Sequence, residues 1–181
     1  MGKCDLELND ALARLEFENA GPDWKGAWAR DVIDYKLGDF MGIDPGRNFG
    51  MAVFIDGIIS VRSFKMEKGD SLAYGVSAWK FSTDLAKRYS HVEKVIIEGA
   101  SYKDQYGQVG LAEIRFGFYL PFRLAGVDVE IVPPATIRKA VFGHGNCKAS
   151  EIWPMLNHNA ADALGAALFA AGYRCEKKDK D

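Results

Sequence analysis

The chain has 181 residues, 48% of them hydrophobic and 27% charged, with a formal net charge of −2. It is long enough for one domain with a substantial core and too short for two full α/β domains joined by a linker. The near-neutral balance argues against bulk positive charge as a means of holding nucleic acid. The charge is unevenly placed, however: residues 1–40 carry five Lys or Arg against nine Asp or Glu, which leaves 18 against 16 for a mildly basic main body.

In chain order, residues 1–38 read as an opening appendage. "LNDALARLEFENA" has helical spacing, with Leu8, Leu15 and Phe17 separated by alanines, and "GPDW" breaks it. "WKGAWARDVIDYKLG" reads as a second helix or as a loop that lays Trp24 and Trp28 on the main body. From Met41 the pattern changes to strands. "FMGID", "GMAVFIDG" and "IISVRSFKM" are separated by turn residues, including the hairpin signal Asp56-Gly57, so an antiparallel meander is expected. "SLAYGVSAWKFSTDLAKRYS", residues 71–90, has helical spacing through Leu72, Val76, Trp79 and Leu85 and the length of a crossover. It leads to "VEKVIIEG", whose successive Val95, Ile96 and Ile97 suit a strand buried on both faces and parallel to the first.

"QVGLAEIRFGFYLPFRLAG", residues 108–126, predicts one kinked helix rather than two, because the carbonyl that Pro121 would crowd belongs to Gly117. Its apolar surface exceeds what one sheet face can cover, which points to a dimer interface or to cover by the appendage. "VDVEIVPP" is a further strand, "ATIRKAVFG" a short helix, "HGNCKAS" a polar loop and "HNAADALGAALFAAG" a terminal helix packed through small residues. The order β-β-β-α-β-α-β-α describes an α/β fold: a mixed five-stranded sheet with helices on both faces, spanning residues 39–173, followed by a charged tail at 174–181.

Cys4, Cys147 and Cys175 lie far apart and read as reduced thiols. His144, three residues before Cys147, resembles half of a metal knuckle, but no second pair completes a zinc site and a plain loop is expected. No apolar run approaches the ~18 residues of a membrane span, and the N-terminus is unlike a secretory or mitochondrial signal. A cytoplasmic protein is expected, bacterial or in a phage-infected host.

Three carboxylates, Asp44, Glu98 and Asp162, sit among apolar or small residues, where each costs several kcal/mol unless it is paired. If the first and fourth strands are parallel neighbours, Asp44 and Glu98 emerge at one sheet edge, where the terminal helix can bring Asp162. Converging carboxylates with no basic residue between them suit hard divalent cations, Mg²⁺ or Mn²⁺. Two such ions roughly 3.5–4 Å apart can activate a water and stabilise the leaving oxygen of a phosphodiester.

"GIDPGRNFGMAVF", "VIIEG", "VPPATIRKAVFGHGNCKASE" and "HNAADALGAALFAA", in this order, resemble the RuvC family of Holliday junction resolvases within the RNase H-like fold, its phage-encoded branch more than the bacterial housekeeping enzyme. The resemblance covers roughly residues 40–172. It implies a homodimer, through the helix at 108–125, that binds four-way or branched DNA and makes paired metal-dependent nicks leaving 5′-phosphate ends. Asp44, Glu98 and Asp162 match the family's acidic metal ligands, with Asp44 shared by both ions and the other two holding one each. A fourth ligand generally stands three residues before the last aspartate; here that position is Asn159, with His158 one residue earlier. Both fall on the same helix face as Asp162, so either can reach a metal, although Asn159 as an N-cap or His158 as a plain first-turn residue is the alternative.

For DNA, Tyr102 and Tyr106 offer stacking surfaces and Lys103 a phosphate contact directly after Glu98. "IRKAVFGHGNCKAS" adds Arg138, Lys139, His144 and Lys148. Two other readings stand beside the nuclease. One is a junction-binding protein with weak or no cleavage, because Asn159 replaces an acidic ligand. The other is an ATPase of the actin and sugar-kinase type, for whose two domains the chain is too short.

Overall fold

A computed structural model describes residues 16–19, 27–32, 38–56, 58–66, 69–100, 108–154 and 156–175. Its strands are β1 (Glu16–Asn19), β2 (Ala27–Val32), β3 (Phe40–Asp44), β4 (Asn48–Ile55), β5 (Ile58–Lys65), β6 (Lys94–Glu98) and β7 (Asp128–Val132). Its helices are α1 (Ser71–Arg88), α2 (Gln108–Leu124), α3 (Pro134–Phe142), α4 (Ala149–Ile152) and α5 (His158–Ala170).

The expected five-stranded mixed sheet is present in the order β5-β4-β3-β6-β7. β3, β4 and β5 form the antiparallel meander; Ile55 pairs with Ile58 across a two-residue turn in which Asp56 takes a left-handed φ of 51°. β6 lies parallel to β3, with Ile43 opposite Ile97, and β7 lies parallel to β6. The opening segment differs from expectation. Glu16–Asn19, placed within a predicted helix, is a strand antiparallel to β2, and β2 pairs with β5, so the sheet has seven strands among the described residues. Without β2 the edge of β5 would present unpaired N–H and C=O groups; β2 satisfies them and offers its own outer edge to β1, and that pairing outweighs the weak helical spacing around Glu16–Asn19.

The sheet is covered on both faces. One face, with Ala52, Phe54, Ile59, Val61 and Ile96, packs against α5 and the buried side of α3. The other, with Met41, Ile43, Met51, Val53, Val95 and Ile97, packs against α1 and α2 and includes a cluster in which Phe49 stacks on Phe64 at 4.8 Å and meets Phe118 at 5.1 Å.

The buried face of α1 is not the one its large aliphatic residues suggest. Leu85 is buried as expected, but Leu72, Val76 and Trp79 are exposed, and Tyr74, Ala78, Ser82 and Ala86 face the core. The reason is close helix packing: a Cβ at Gly117 of α2 would stand 2.9 Å from Ala78 Cβ and 3.0 Å from the Trp79 nitrogen, so small residues make the contact.

Pro121 lies inside a continuous α2. Lacking an N–H, it cannot bond the carbonyl of Gly117 four residues back. That carbonyl is instead taken by Ser82, a fully buried hydroxyl that donates to it at 2.6 Å. Ser82→Ala leaves the carbonyl buried and unbonded, and is expected to cost about 1–3 kcal/mol in denaturant unfolding with an unchanged m value.

Candidate active site

Each carboxylate is brought to the site by an identifiable local device. Asp44 ends β3 and Glu98 ends β6, and the parallel register of Ile43 with Ile97 sets both at one edge of the sheet. Asp162 arrives on α5, which lies directly on β3 and β4 because those strands are bare there. A Cβ at Gly42 would collide with the backbone of Ala163 and Ala167, and one at Gly50 with the backbone of Asn159. Asn157 fixes where α5 starts: its side chain accepts from the Ala160 N–H at 3.0 Å as the N-cap and donates to Ser63 Oγ of β5. The N-cap is therefore Asn157 and not Asn159.

Among the described residues, one group of three potential ligands converges: Asp44, His158 and Asp162 offer atoms that all lie within 4.8 Å of one another. Glu98 stands beside them, with a guanidinium between. Arg138 Nη2 is 3.0 Å from Asp162 Oδ1 and 3.9 Å from Glu98 Oε1. The expectation of a cluster with no basic residue is thus incorrect. Because β7 runs parallel to β6, α3 begins at the same sheet edge and carries Arg138 into the carboxylates. A second cation, Arg115 of α2, donates from Nη2 to the carbonyl of Gly99 at 3.2 Å and lies in the field of Glu98 and Asp44.

The electrostatics are those of an under-neutralised acidic cluster. Burial, followed by repulsion from Glu98 and Asp162, holds the Asp44 carboxyl well above its ordinary range despite Arg138 and Arg115. Burial and then Asp162 push Glu98 up to about 7. Burial alone would lower Arg138, but Asp162 and Glu98 outweigh it and keep the guanidinium above its ordinary value. Two carboxylate oxygens and an imidazole nitrogen within reach of one point, beside a further carboxylate, form a donor set suited to Mg²⁺ or Mn²⁺.

These shifts make a stability prediction. Below about pH 4.5 Glu98 is protonated in both folded and unfolded chains and contributes nothing. Between there and pH 7 the unfolded chain releases a proton that the folded site retains, so metal-free stability falls as pH rises, by on the order of 3 kcal/mol for this group. A cation that binds the ionised site offsets the loss. The rise in melting temperature caused by saturating Mn²⁺ is expected to be larger at pH 8 than at pH 6.

Tyr102, Lys103 and Tyr106 lie outside the described residues. Lys139, His144 and Lys148 are exposed, and Lys148 pairs with Glu151 at 3.0 Å. His144 and Cys147 are satisfied within their own loop: the Asn146 N–H donates to His144 Nδ1, and the Cys147 thiol donates to the His144 carbonyl. Arg115 was not anticipated, although a signal was present: it interrupts the otherwise apolar stripe of Leu111, Phe118 and Phe122 on α2.

Comparison of the whole fold with solved structures finds the Thermus thermophilus RuvC structure, with a TM-score of 0.56 and 19% sequence identity, covering 72% of this chain and 91% of that one. The fold is RuvC-like. A second match, T. thermophilus RuvC in complex with Holliday junction substrate, has a TM-score of 0.55 and 18% identity over 72% of this chain and 90% of that one. No family model and no curated protein matches the sequence. In the RuvC-like body the acidic edge formed by β3 and β6 faces the N-terminal two turns of α5, which is where Asp44, His158 and Asp162 meet. Among the described residues, no helix is long and apolar enough to cross a membrane.

Proposed function

We propose that the protein is a divalent-metal-dependent endonuclease that resolves four-way or branched DNA junctions by paired nicks leaving 5′-phosphate ends, acting as a homodimer. The observation that carries this reading is the convergence of Asp44, His158 and Asp162 beside Glu98 at the sheet edge of a RuvC-like fold.

Asp44, Glu98 and Asp162 would hold the cation, joined by His158, with Asn159 as the other candidate for that fourth place. When bound, Mg²⁺ or Mn²⁺ supplies charge for the phosphate oxygens and acidity for an attacking water, and two ions can serve both sides of the phosphate. The chain's own contribution is to dehydrate and fix these groups: burial and mutual repulsion make ionisation of Asp44 and Glu98 costly, a cost that a bound cation would offset. Arg138, held between Asp162 and Glu98, is a guanidinium within the carboxylate cluster that could exchange a carboxylate for a phosphate oxygen of the substrate. Exposed Lys139, His144 and Lys148 follow it on α3 and the next loop as candidate backbone contacts, and Tyr102, Lys103 and Tyr106 retain their proposed role at the junction centre.

A partner copy has a surface to use. Phe116 and Leu124 of α2 are 57% and 72% exposed, next to the exposed Leu72, Val76 and Trp79 of α1. A groove of about 440 Å³ runs between Trp79, Thr83 and Lys87 on one side and Pro121, Leu124 and Ala125 on the other. We assign this face to the dimer.

The test is incubation with a labelled four-way junction and, separately, linear duplex, in Mg²⁺ or Mn²⁺. Symmetric nicks in the junction alone are the expected result. Tight junction binding without nicks would favour the binding protein, a reading supported by the Arg138 pairing and by an amide at position 159. Failure to prefer the junction at all would end both.

A further inference from the structure

We propose that Arg115 is a positioning residue: it reaches from α2 to the end of β6, fixes the backbone that presents Glu98, and so links the apolar face of α2 energetically to the carboxylate site. The inference rests on the function proposed above, in taking Glu98 as a cation ligand and α2 as a docking face.

Gly99 directly follows Glu98, and both of its backbone polar groups are held. Its N–H donates to the Val132 carbonyl of β7 at 2.7 Å, and its carbonyl accepts from Arg115 Nη2 at 3.2 Å. There is little room for it to move, because a Cβ at Gly99 would already stand 3.2 Å from Ile131 and Val132. Removing Arg115 releases one of the two grips on the peptide that aims Glu98.

Arg115 is also a costly way to bond one carbonyl. It occupies a stripe otherwise filled by Leu111, Phe118 and Phe122, and its buried Nε has no partner among the described residues. An unmade donor on a partly buried guanidinium carries a desolvation penalty that a single neutral acceptor does not offset. Burial holds the guanidinium below its ordinary value, and Glu98 and Asp44 are the two groups that offset part of that cost by favouring its cationic form. A residue bonded to the Gly99 carbonyl at one end and carried by α2 at the other cannot stay still if either moves.

Helix α2 is suited to carry such a link. The Ser82 bond to the Gly117 carbonyl and the tight contact of Gly117 with α1 make the two helices one unit. The residue next to Arg115, Phe116, faces outward. Adjacent positions on one rigid helix thus touch the site's backbone and the surface where a second copy would dock. Docking that settles α2 settles Glu98, and cation binding that settles Glu98 favours docking, as reciprocity of coupled equilibria requires.

The experiment is a double-mutant cycle on Mn²⁺ affinity, read from the electron paramagnetic resonance of the free ion, with association state followed by sedimentation. The four proteins are the unaltered chain, Phe116→Ser, Arg115→Met and the double variant. Phe116→Ser is expected to weaken both association and Mn²⁺ binding, the latter by on the order of 5-fold, and to have no such effect on Mn²⁺ once Arg115 is gone. If Arg115→Met does not fold, Arg115→Lys takes its place; it keeps the charge but not the planar fork, and should lose part of the coupling. Equal effects of Phe116→Ser in both backgrounds, or no effect on Mn²⁺ in the unaltered background, would overturn the link while leaving the metal site standing. Absence of Mn²⁺ binding by the unaltered chain would remove the metal reading, and the link with it.

Discussion

Replacing Asp44 by Asn is expected to lower nicking by roughly a thousandfold or more while making the metal-free protein more stable above pH 7. The two effects have one cause. Asp44 is held where its charge is least welcome, desolvated and facing Glu98 and Asp162, so folding is opposed by the ionised carboxylate and a neutral amide of the same shape removes that opposition. The same amide gives up the negative charge that draws a cation. Single-turnover nicking beside thermal unfolding in chelator tests both. The expected pattern is loss of rate with a raised melting temperature and unchanged junction affinity. Lower stability than the unaltered chain at pH 8 would mean that Asp44 is structurally required and not merely tolerated.

The second large effect is expected from Gly50→Ala. The added methyl group meets the backbone of Asn159 and Ala160, neither of which is the far end of a flexible side chain, so α5 must lift from the sheet. Overpacking of this kind costs about 1–3 kcal/mol, and more if the helix cannot tilt. The functional cost is larger, because a shift of about 1 Å in a ligand-bearing element can lower a rate a hundredfold. His158 and Asp162 ride on that helix, whereas Asp44 and Glu98 stay on the sheet. Mn²⁺ affinity and nicking should therefore fall well beyond what the loss of stability explains, and the denaturant midpoint of the same preparation separates the two. Loss of stability with cation binding intact would show that the ligands do not depend on the seat of α5.

The body of the fold was legible because its strands and helices announce themselves locally. Val95-Ile96-Ile97 required a two-sided burial, Asp56-Gly57 a hairpin, and the alanines of α5 a close approach whose other half, Gly42 and Gly50, was also on view. Two features were hidden for physical reasons. The strand at Ala27–Val32 owes its form to the edge of β5, a partner that no local window contains, and Glu16–Asn19 pairs in turn with the edge that Ala27–Val32 provides. The buried face of α1 was misjudged because burial there goes to residues that permit contact, Ala78, Ser82 and Ala86, and not to the largest apolar ones.

At the candidate site, the three carboxylates were readable as charges stranded in apolar surroundings, and the structure brings Asp44 and Asp162 together with His158. The two arginines were harder to place. Arg138 was read as a DNA contact on the short helix after β7, and only the parallel placement of β7 beside β6 turns the first turns of α3 toward Glu98. Arg115 was visible as a charge in an apolar stripe, but its destination depends on how α2 crosses the sheet.

The seating of α5 also bears on how the protein reaches its native state. The candidate ligands come from positions 44, 98 and 162, and the helix that brings the last of them packs on one face of the sheet with eight buried residues. Contacts so distant in sequence form late and slowly, and here the last of them completes the hydrophobic core and the carboxylate cluster in the same event. A chain with a finished meander but an undocked α5 has an open core and no assembled cation site. Cation binding would then serve as a clock for folding, its appearance in a refolding experiment marking the moment at which the sheet closes.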